Sequence, residues 1–251
     1  TMITLDCSEH IQNGEVEFLS EEIKDRYLNK SFKVEGNEIY FTEKDLKEAV
    51  AVYSKAIEFA ASIYNDYIKP LSGTVNFEIS IDETDHPTTP AQHYFVSQEL
   101  VSRGVKFDTL APRFCGEFQK GIDYIGDVKL FEEEFIIHAA IARHFGYKLS
   151  IHSGSDKFSI FALIGKYTKG QFHVKTAGTN WLEAMHVIAG VAPDLYREVH
   201  NYALEVFEDA RRFYHITPDL SRIPKLEDLI DSELASLFSQ DDARQLIHIT
   251  Y

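Results

Sequence analysis

The sequence is short of the features that mark secreted, disulfide-stabilised and membrane-spanning proteins. It has two cysteines among 251 residues, Cys7 and Cys115, which are too few for a disulfide framework. Its longest apolar runs, such as 160–164, are far shorter than the roughly 20 residues that cross a bilayer as a helix. Residues 1–6 lack the basic and apolar regions of a signal peptide. We therefore predict a soluble protein of the reducing cytoplasm.

Basic residues are also in deficit. The chain has 25 Lys and Arg against 40 Asp and Glu, which gives a formal net charge of −15. The electrostatic field of such a molecule repels phosphate, so the composition argues against nucleic acid or an anionic membrane as a partner. An anionic small molecule would need a local cluster of cationic side chains.

Several catalytic signatures are missing as well. The chain contains no GxGxxG, no P-loop, no GxSxG and no HExxH. These absences argue against most nucleotide-dependent enzymes and serine hydrolases, because those chemistries need the loops that the motifs build.

What the chain does have is a repeated alternation of strand-like and helical segments. The predicted strands are 3–6, 75–82, 105–114, 147–153 and 171–175. The predicted helices are 43–69, 90–102, 131–145, a stretch that starts at 180, 193–213 and 224–238. This alternation predicts an α/β fold with a parallel sheet. We expect a single domain over 1–251 with about five strand–helix units, a small hairpin insertion near 31–41 and C-terminal helices at 193–238.

Three of the predicted strands have a polar second face. In 77–82, Phe, Ile and Ile alternate with Glu, Ser and Asp, and 147–152 and 172–175 repeat the pattern. A doubly wound sheet is apolar on both faces, whereas the inner face of a barrel that carries a site includes polar residues. The pattern therefore predicts a TIM-like (β/α) barrel, and five strands predict an incomplete or truncated portion of it.

Candidate metal ligands lie where the strands of a parallel sheet end. His152 and His173 each lie on the polar face of a short predicted strand, and Glu117 follows the strand before them. Neutral imidazole and carboxylate are ligands that suit a divalent cation. The alternative is that each histidine is structural and satisfied inside the protein.

Further polar residues at strand ends suit proton transfer and anion binding. Asp82 and Glu83 follow a strand and could exchange a proton with a substrate, although an acidic loop is more commonly just solvated. The segment 153–157, with Ser153, Ser155, Asp156 and Lys157, offers N–H groups and a cation to an anion or polyol. Its alternative interpretation is an ordinary turn into a helix. Arg113 and Lys175 are the other cations at strand ends.

Four ordered segments together resemble the tagaturonate epimerase family. They are 82–93, 110–127, 148–159 and 175–179, within a resemblance that covers about residues 5–224. The resemblance implies a metal-dependent TIM-like barrel of the isomerase class that interconverts tagaturonate and fructuronate in hexuronate catabolism. Related members act on the ketohexoses tagatose and fructose. Members of the family are much longer than this chain, which agrees with the count of five strands.

The structure of the substrate limits the mechanisms by which the epimerisation that the resemblance implies could proceed. The inverted carbon lies β to the ketone, so enolisation would invert the wrong centre. Retro-aldol cleavage and re-addition would invert the right one, and a hydride shift is the alternative. On this basis we expect Glu117, His152 and His173 to bind a divalent cation (Zn, Mn, Co or Ni). Asp82 and Glu83 would then transfer protons, and the substrate-binding residues would be Arg113, Ser153, Ser155, Asp156, Lys157 and Lys175.

Two other functions stay open at this point. One is a metal-dependent sugar isomerase of the same fold that works through an enediol, and the other is a non-catalytic fragment that binds a sugar acid. We expect a small sugar or sugar-acid partner, no nucleic acid and no membrane, and we leave a homo-oligomer open.

Overall fold

The computed structural model of the protein describes residues 1–12, 14, 16–71, 73–176 and 178–250. Contacts within the chain divide it into two compact units. Unit 1 consists of Thr1–Gly116, Gly126–Ile151 and Phe161–His173, and unit 2 consists of Glu117–Ile125, His152–Ile160 and Val174–Tyr251. The single domain expected over 1–251 stays a prediction.

The regular elements follow the alternation that the sequence predicts. The strands are β1 (Met2–Asp6), β2 (Ser31–Val34), β3 (Asn37–Tyr40), β4 (Asn76–Ile81), β5 (Thr109–Pro112), β6 (Lys148–Ile151) and β7 (Phe172–Val174). The α-helices are α1 (Glu21–Tyr27), α2 (Glu43–Ile63), α3 (Pro90–Ser102), α4 (Val128–Phe145), α5 (Phe158–Tyr167), α6 (Thr179–Val191), α7 (Pro193–Ala210) and α8 (Asp241–Ile249). Four of the five predicted strands were too long at their ends, because only the central residues of each form ladder hydrogen bonds, whereas β1 begins one residue before its predicted start.

A five-stranded sheet organises the fold, with strand order β1-β4-β5-β6-β7. The pairs β1–β4, β4–β5 and β5–β6 are parallel, and helices connect successive strands, as βαβ units require. The α/β class and the parallel sheet are therefore confirmed. The hairpin expected near 31–41 is also confirmed, since β2 and β3 pair antiparallel.

Local capping determines where the helices of unit 1 begin. Thr42 and Thr89 each form a capping box, in which the threonine hydroxyl accepts from a backbone N–H three residues on. Helix α4 begins at Val128, three residues before the predicted start, because the Asp127 carboxylate accepts from the first free N–H groups. It ends at Gly146, whose φ of 83° favours glycine.

Two predictions for the C-terminal part were wrong. The helix expected over 224–238 is instead a pair of short 3-10 helices, Leu226–Asp228 and Asp231–Ser239. Leu234 and Leu237 are buried three residues apart, a spacing that suits the three-residue turn. The C-terminal helices were expected over 193–238, but a further helix, α8, follows Ser239, and its first turn carries Asp241 and Asp242 at the positive end of the helix dipole.

The two faces of the sheet in unit 1 differ in chemistry. Ile79 and Ile81 of β4 lie with apolar side chains of α2 and α3, which are Tyr53, Ala56, Ile57, Ala60, Val96 and Leu100. The intervening residues Glu78 and Ser80 are also buried, together with Thr109 of β5 and Ser150 of β6. The sheet therefore has one apolar face against helices and a second face of buried polar side chains, as its alternating sequence predicts.

Unit 2 has an apolar core of its own, built mainly by α6, α7, α8 and the 3-10 helix Asp231–Ser239. The buried residues include Leu182, Met185, Tyr196, Ala203, Phe207, Leu234, Leu237, Leu246 and Ile247. Among the described residues, no helix has the length and apolar character needed to cross a membrane.

Candidate active site

A buried carboxylate lies at the centre of the polar face of unit 1. Glu78 projects from β4 and is fully buried. The Thr4 hydroxyl donates to its Oε1 over 3.1 Å, and the Thr109 hydroxyl donates to its Oε2 over 2.8 Å. These threonines are the partners of Glu78 in the β1–β4 and β4–β5 ladders. Strand register therefore delivers a hydroxyl to each carboxylate oxygen.

His173 approaches the same carboxylate from β7. Its Nδ1 lies 3.0 Å from Glu78 Oε2 and 2.8 Å from the Ser150 hydroxyl. The side chain is about a third exposed. One ring nitrogen thus faces a buried anion, which leaves Nε2 as the nitrogen that can meet a ligand. The sequence predicted His173 as a metal ligand, and that assignment stays a prediction.

The acidic segment 82–85 follows β4 directly along the chain. Asp82 is half-buried, and its carboxylate accepts a hydrogen bond from the Ser80 hydroxyl. Glu83 is exposed. The carboxylate of Asp82, one of the two predicted proton-transfer residues, is thus held by a neighbouring side chain.

Arg113 is held by the loop that follows the acidic segment. Its guanidinium donates to the Thr84 carbonyl. The Arg113 N–H donates to the Thr88 hydroxyl over 3.1 Å, and the Thr88 N–H donates back to the Arg113 carbonyl over 2.8 Å. Tyr53 also donates to the Thr88 hydroxyl, over 3.2 Å. Thr88 therefore fastens this loop to the end of β5.

In unit 2, the predicted metal ligand Glu117 forms an ion pair with His215. Glu117 Oε2 lies 2.7 Å from His215 Nε2, and both side chains are substantially exposed. The Glu117 backbone also pairs with Ile125 in an isolated antiparallel bridge. Nothing in the sequence connects two residues that lie 98 positions apart.

The loop 152–157 in unit 2 has an unusual backbone. Ser153 and Asp156 have φ values of 47° and 64°, which lie in the left-handed region. The Asp156 carboxylate accepts from Arg244 over 2.8 Å, and the N–H of Gly154 donates to the Lys175 carbonyl over 3.0 Å. Lys175 itself is exposed, and His152 is half-buried. Ser155 is buried, and its hydroxyl has no hydrogen-bond partner within the described residues.

Lys157 is fully buried, which its place in the predicted substrate loop did not suggest. Its ammonium donates to the carbonyls of Gln119, Ile122 and Ser155 over 2.8, 2.6 and 2.8 Å. Burial lowers the pKa of Lys157 to about 8. Three N–H donors bonded to three carbonyls favour a structural role, in which Lys157 holds the segment 119–122, over the predicted contact with a sugar acid.

Glu78, Thr88, Arg244 and His215 were not among the residues predicted for the site. A signal existed for Glu78 alone, because it occupies the polar phase of a strand whose other phase is entirely apolar. Within the part of the chain that the structure describes, no three or more His, Cys, Asp or Glu side chains are grouped so that they could hold a metal ion. The predicted ligand set of Glu117, His152 and His173 stays a prediction.

Known proteins resemble this chain over its whole length. A family described as UxaE, tagaturonate epimerase, matches residues 1–251. The curated tagaturonate/fructuronate epimerase of Thermotoga maritima is 47% identical over 264 residues, and the match covers 100% of this chain. The native crystal structure of fructuronate-tagaturonate epimerase UxaE from Cohnella laeviribosi is 52% identical and superposes with a TM-score of 0.96. A glycerol complex of the same enzyme is 53% identical, also with a TM-score of 0.96.

These relatives are considerably longer than the chain. The match covers 55% of the curated relative and 54% of each solved chain. The chain therefore spans about half the length of the proteins that it matches.

Proposed function

The chain belongs to the tagaturonate epimerase family, and we propose on that basis that the protein interconverts tagaturonate and fructuronate. The family match over residues 1–251 and identities near 50% to named epimerases support this activity. The observation within the structure that best supports it is the buried group of Glu78 and His173 on the polar face of the sheet. A carboxylate is almost never fully buried unless it is paired, and a buried carboxylate that faces a partly exposed histidine is an arrangement that catalytic sites use, which favours a functional site.

We propose further that the five-stranded sheet is a segment of a (β/α) barrel. Helices α2 and α3 pack against its apolar face, and the opposite face carries buried polar residues. The inner face of a barrel has this character where it carries a site at the carboxyl ends of the strands. An open doubly wound sheet would place helices and apolar residues on both faces.

The proposed reaction is a retro-aldol inversion. A base removes the proton from the hydroxyl on the carbon β to the ketone, the bond between that carbon and the α carbon breaks, and its electron pair forms the enolate. The detached aldehyde rotates and presents its other face. The enolate then attacks the aldehyde, and the new alkoxide takes back the proton. No hydrogen on carbon need be exchanged, and the net change is inversion at one centre.

Two groups in unit 1 suit the proton and carboxylate steps. Asp82, held by the Ser80 hydroxyl, would take the hydroxyl proton and return it, with Glu83 as the second predicted member of the pair. The Arg113 guanidinium, anchored by one donor to the Thr84 carbonyl, keeps further donors for the sugar-acid carboxylate. This assignment would place the carboxylate beside the loop that Thr88 fastens.

The donor chemistry of His173 fits a divalent cation. Its Nδ1 faces the Glu78 carboxylate, so Nε2 has the lone pair that a cation needs. Glu117 and His152 complete the ligand set predicted from the sequence. When bound, a divalent cation would polarise the ketone and stabilise the enolate charge.

The test is epimerisation of tagaturonate and, separately, of tagatose, by protein that has been treated with a chelator and then supplied with Mn²⁺, Zn²⁺, Co²⁺ or Ni²⁺. We expect turnover of tagaturonate that the chelator abolishes and a metal restores. Replacement of His173 by Ala should lower kcat/KM by at least about 100-fold, as loss of a metal ligand does. A matched variant, His215→Ala, removes a histidine from the exposed ion pair and should have a much smaller effect.

Two results would redirect the assignment. Uptake of solvent deuterium at the carbon α to the ketone, in every turnover, would favour an isomerase that works through an enediol. Metal binding without turnover on either sugar, by protein with a cooperative unfolding transition, would favour the non-catalytic binding function.

A further inference from the structure

Arg244 of α8 donates hydrogen bonds to two separate segments of unit 2. Its Nε donates to the Gly121 carbonyl over 2.7 Å, and its Nη2 donates to the Asp156 carboxylate over 2.8 Å. Its Nη1 donates to the carbonyl of Phe238, just before α8, over 3.2 Å. The planar guanidinium therefore links the segment around Gly121 to the loop 152–157 through donors whose relative directions are fixed.

The ion pair between Arg244 and Asp156 is mostly buried, with 17% and 9% of the two side chains exposed. Arg244 donates to Oδ1 of Asp156, and the other oxygen is buried with no hydrogen-bond partner within the described residues. The backbone of Asp156 is left-handed, with a φ of 64°, a conformation that persists in a residue other than glycine where its surroundings enforce it. Loss of Arg244 would leave a buried carboxylate without its hydrogen-bonded cation, so we expect the loop to change conformation.

The loop 152–157 differs in exposure between its start and its end. His152 and Ser153 at the start are half-buried. Lys157 at the end is fully buried and donates to three backbone carbonyls. A ligand can therefore reach the start of the loop, while its end serves the interior contacts that Arg244 shares.

We infer that Arg244 is a positioning residue that holds the loop 152–157 so that Ser153 meets the sugar substrate. Arg244 would not contact the sugar; it acts through the Asp156 carboxylate and the Gly121 carbonyl. That the loop binds a sugar acid rests on the proposed function. That Arg244 fixes the conformation of the loop rests on its own hydrogen bonds.

A second arginine provides a matched control. Arg197 of α7 likewise donates to two carbonyls, those of Leu226 and Leu229, and to one carboxylate, that of Asp231. None of these residues was predicted for the site. Arg244→Lys and Arg197→Lys each keep the positive charge and remove the forked guanidinium, so both should lower stability, and only the first should affect the loop.

The first measurement is hydrogen exchange at the Gly154 amide, which donates to the Lys175 carbonyl over 3.0 Å. In Arg244→Lys we expect this amide to exchange at least about tenfold faster relative to the amides of α6, because the loop opens without unfolding of the unit. Arg197→Lys should leave this ratio unchanged. An amide of Gly154 that is equally protected in Arg244→Lys would overturn the inference, whether or not the protein turns over a sugar.

A double variant serves if Arg244→Lys does not fold. Arg244→Met combined with Asp156→Asn removes both charges together and so avoids a buried carboxylate without a partner. Asparagine also adopts the left-handed backbone more readily than most residues. Gly154 should exchange faster in this variant too, and unchanged exchange would overturn the inference.

The second measurement is the KM for tagaturonate, or the dissociation constant if the protein turns over neither sugar. We expect Arg244→Lys to raise it about tenfold or more and to change kcat less, because a displaced Ser153 weakens ground-state and transition-state binding alike. Arg197→Lys should leave it unchanged. Faster exchange at Gly154 with an unchanged KM in Arg244→Lys would overturn the inference.

These outcomes separate the inference from the proposed function. Faster exchange at Gly154 and weaker binding of tagaturonate in Arg244→Lys, by a protein that epimerises neither sugar, would uphold the positioning role and refute the epimerase. Epimerisation with an unchanged KM in Arg244→Lys would do the reverse. A protein that neither binds nor turns over tagaturonate would refute both.

Discussion

A histidine–glutamate pair occurs in each unit of the molecule, and these two pairs differ in their surroundings far more than in their geometry. In unit 1, His173 and Glu78 lie 3.0 Å apart, with 32% of the histidine and none of the glutamate side chain exposed. In unit 2, His215 and Glu117 lie 2.7 Å apart, with 70% and 38% exposed. By distance alone the pair in unit 2 would be the stronger.

Burial reverses that order. Water and salt screen the exposed pair, and surface ion pairs contribute about 0–1 kcal/mol. The buried carboxylate of Glu78 has lost its water; it accepts hydrogen bonds from Thr4 and Thr109 and faces the His173 imidazole. Removal of such a group leaves its partners unsatisfied, which costs more than the bonds themselves contribute. The two pairs contain the same types of residue at similar separations, so it is their burial that decides how much each contributes to the stability of the protein.

The largest expected difference between the two pairs is in the stability lost when each glutamate is removed. Glu78→Ala should lower the free energy of unfolding by about 3 kcal/mol or more, because it leaves two hydroxyls and an imidazole in a buried space. Glu117→Ala should lower it by less than about 1 kcal/mol. Urea unfolding followed by circular dichroism measures both, and equal losses in the two variants would contradict the comparison.

Lowering the pH should reduce the free energy of unfolding by a similar amount, through buried histidines in the two units. His138 in unit 1 and His200 in unit 2 both have a pKa lowered from 6.5 to about 4, chiefly by burial. His93, whose Nδ1 lies 2.8 Å from Nδ1 of His138, has a lowered pKa from the same cause. The unfolded chain therefore binds protons more readily than the folded one, and stability falls as the pH drops from about 6.5 to 4.

Each histidine with a pKa near 4 should contribute about 3 kcal/mol to this loss. His138→Gln and His200→Gln should each reduce the difference in the free energy of unfolding between pH 7 and pH 4.5. Fluorescence of Trp181 follows unfolding in unit 2, and hydrogen exchange of α4 amides follows it in unit 1. A pH dependence that neither substitution changes would show that the histidines are not its source.

The smallest expected changes in stability come from two neighbouring threonines, one buried and one exposed. Thr88 is buried and accepts from Arg113 and Tyr53, whereas the neighbouring Thr89 is exposed and caps α3. Thr88→Val should cost about 2 kcal/mol, and Thr89→Ala about 1 kcal/mol. Thr88→Ser, which keeps the hydroxyl, should cost less than either.

Kinetics add a control for this prediction. If Arg113 binds the sugar-acid carboxylate, Thr88→Val should raise KM for tagaturonate more than it lowers kcat, and it should hardly change KM for the uncharged tagatose. Equal changes for the two sugars would argue that Thr88 affects stability alone.

Local sequence predicted those parts of the fold that depend on neighbouring residues. The capping box of Thr42 and Asp45 starts α2, and Gly146 ends α4, because each satisfies free backbone groups within one turn. The alternation in β4 predicted that Glu78 and Ile79 face opposite sides of the sheet. The 3-10 helix Asp231–Ser239 and helix α8 were not predicted, since their packing in the core of unit 2 selects them.

Only the tertiary structure decided which residues distant in the chain come into contact. The sequence determined an α/β protein with a parallel sheet, a polar face and acidic, imidazole and cationic groups at the strand ends, since hydrophobic period and residue type fix these. It could not determine that Lys157 donates to three carbonyls, that Glu117 pairs with His215, or that Glu78 faces His173. Those contacts join residues far apart in the chain, and strand register and burial, which arise only on folding, decide which of them form.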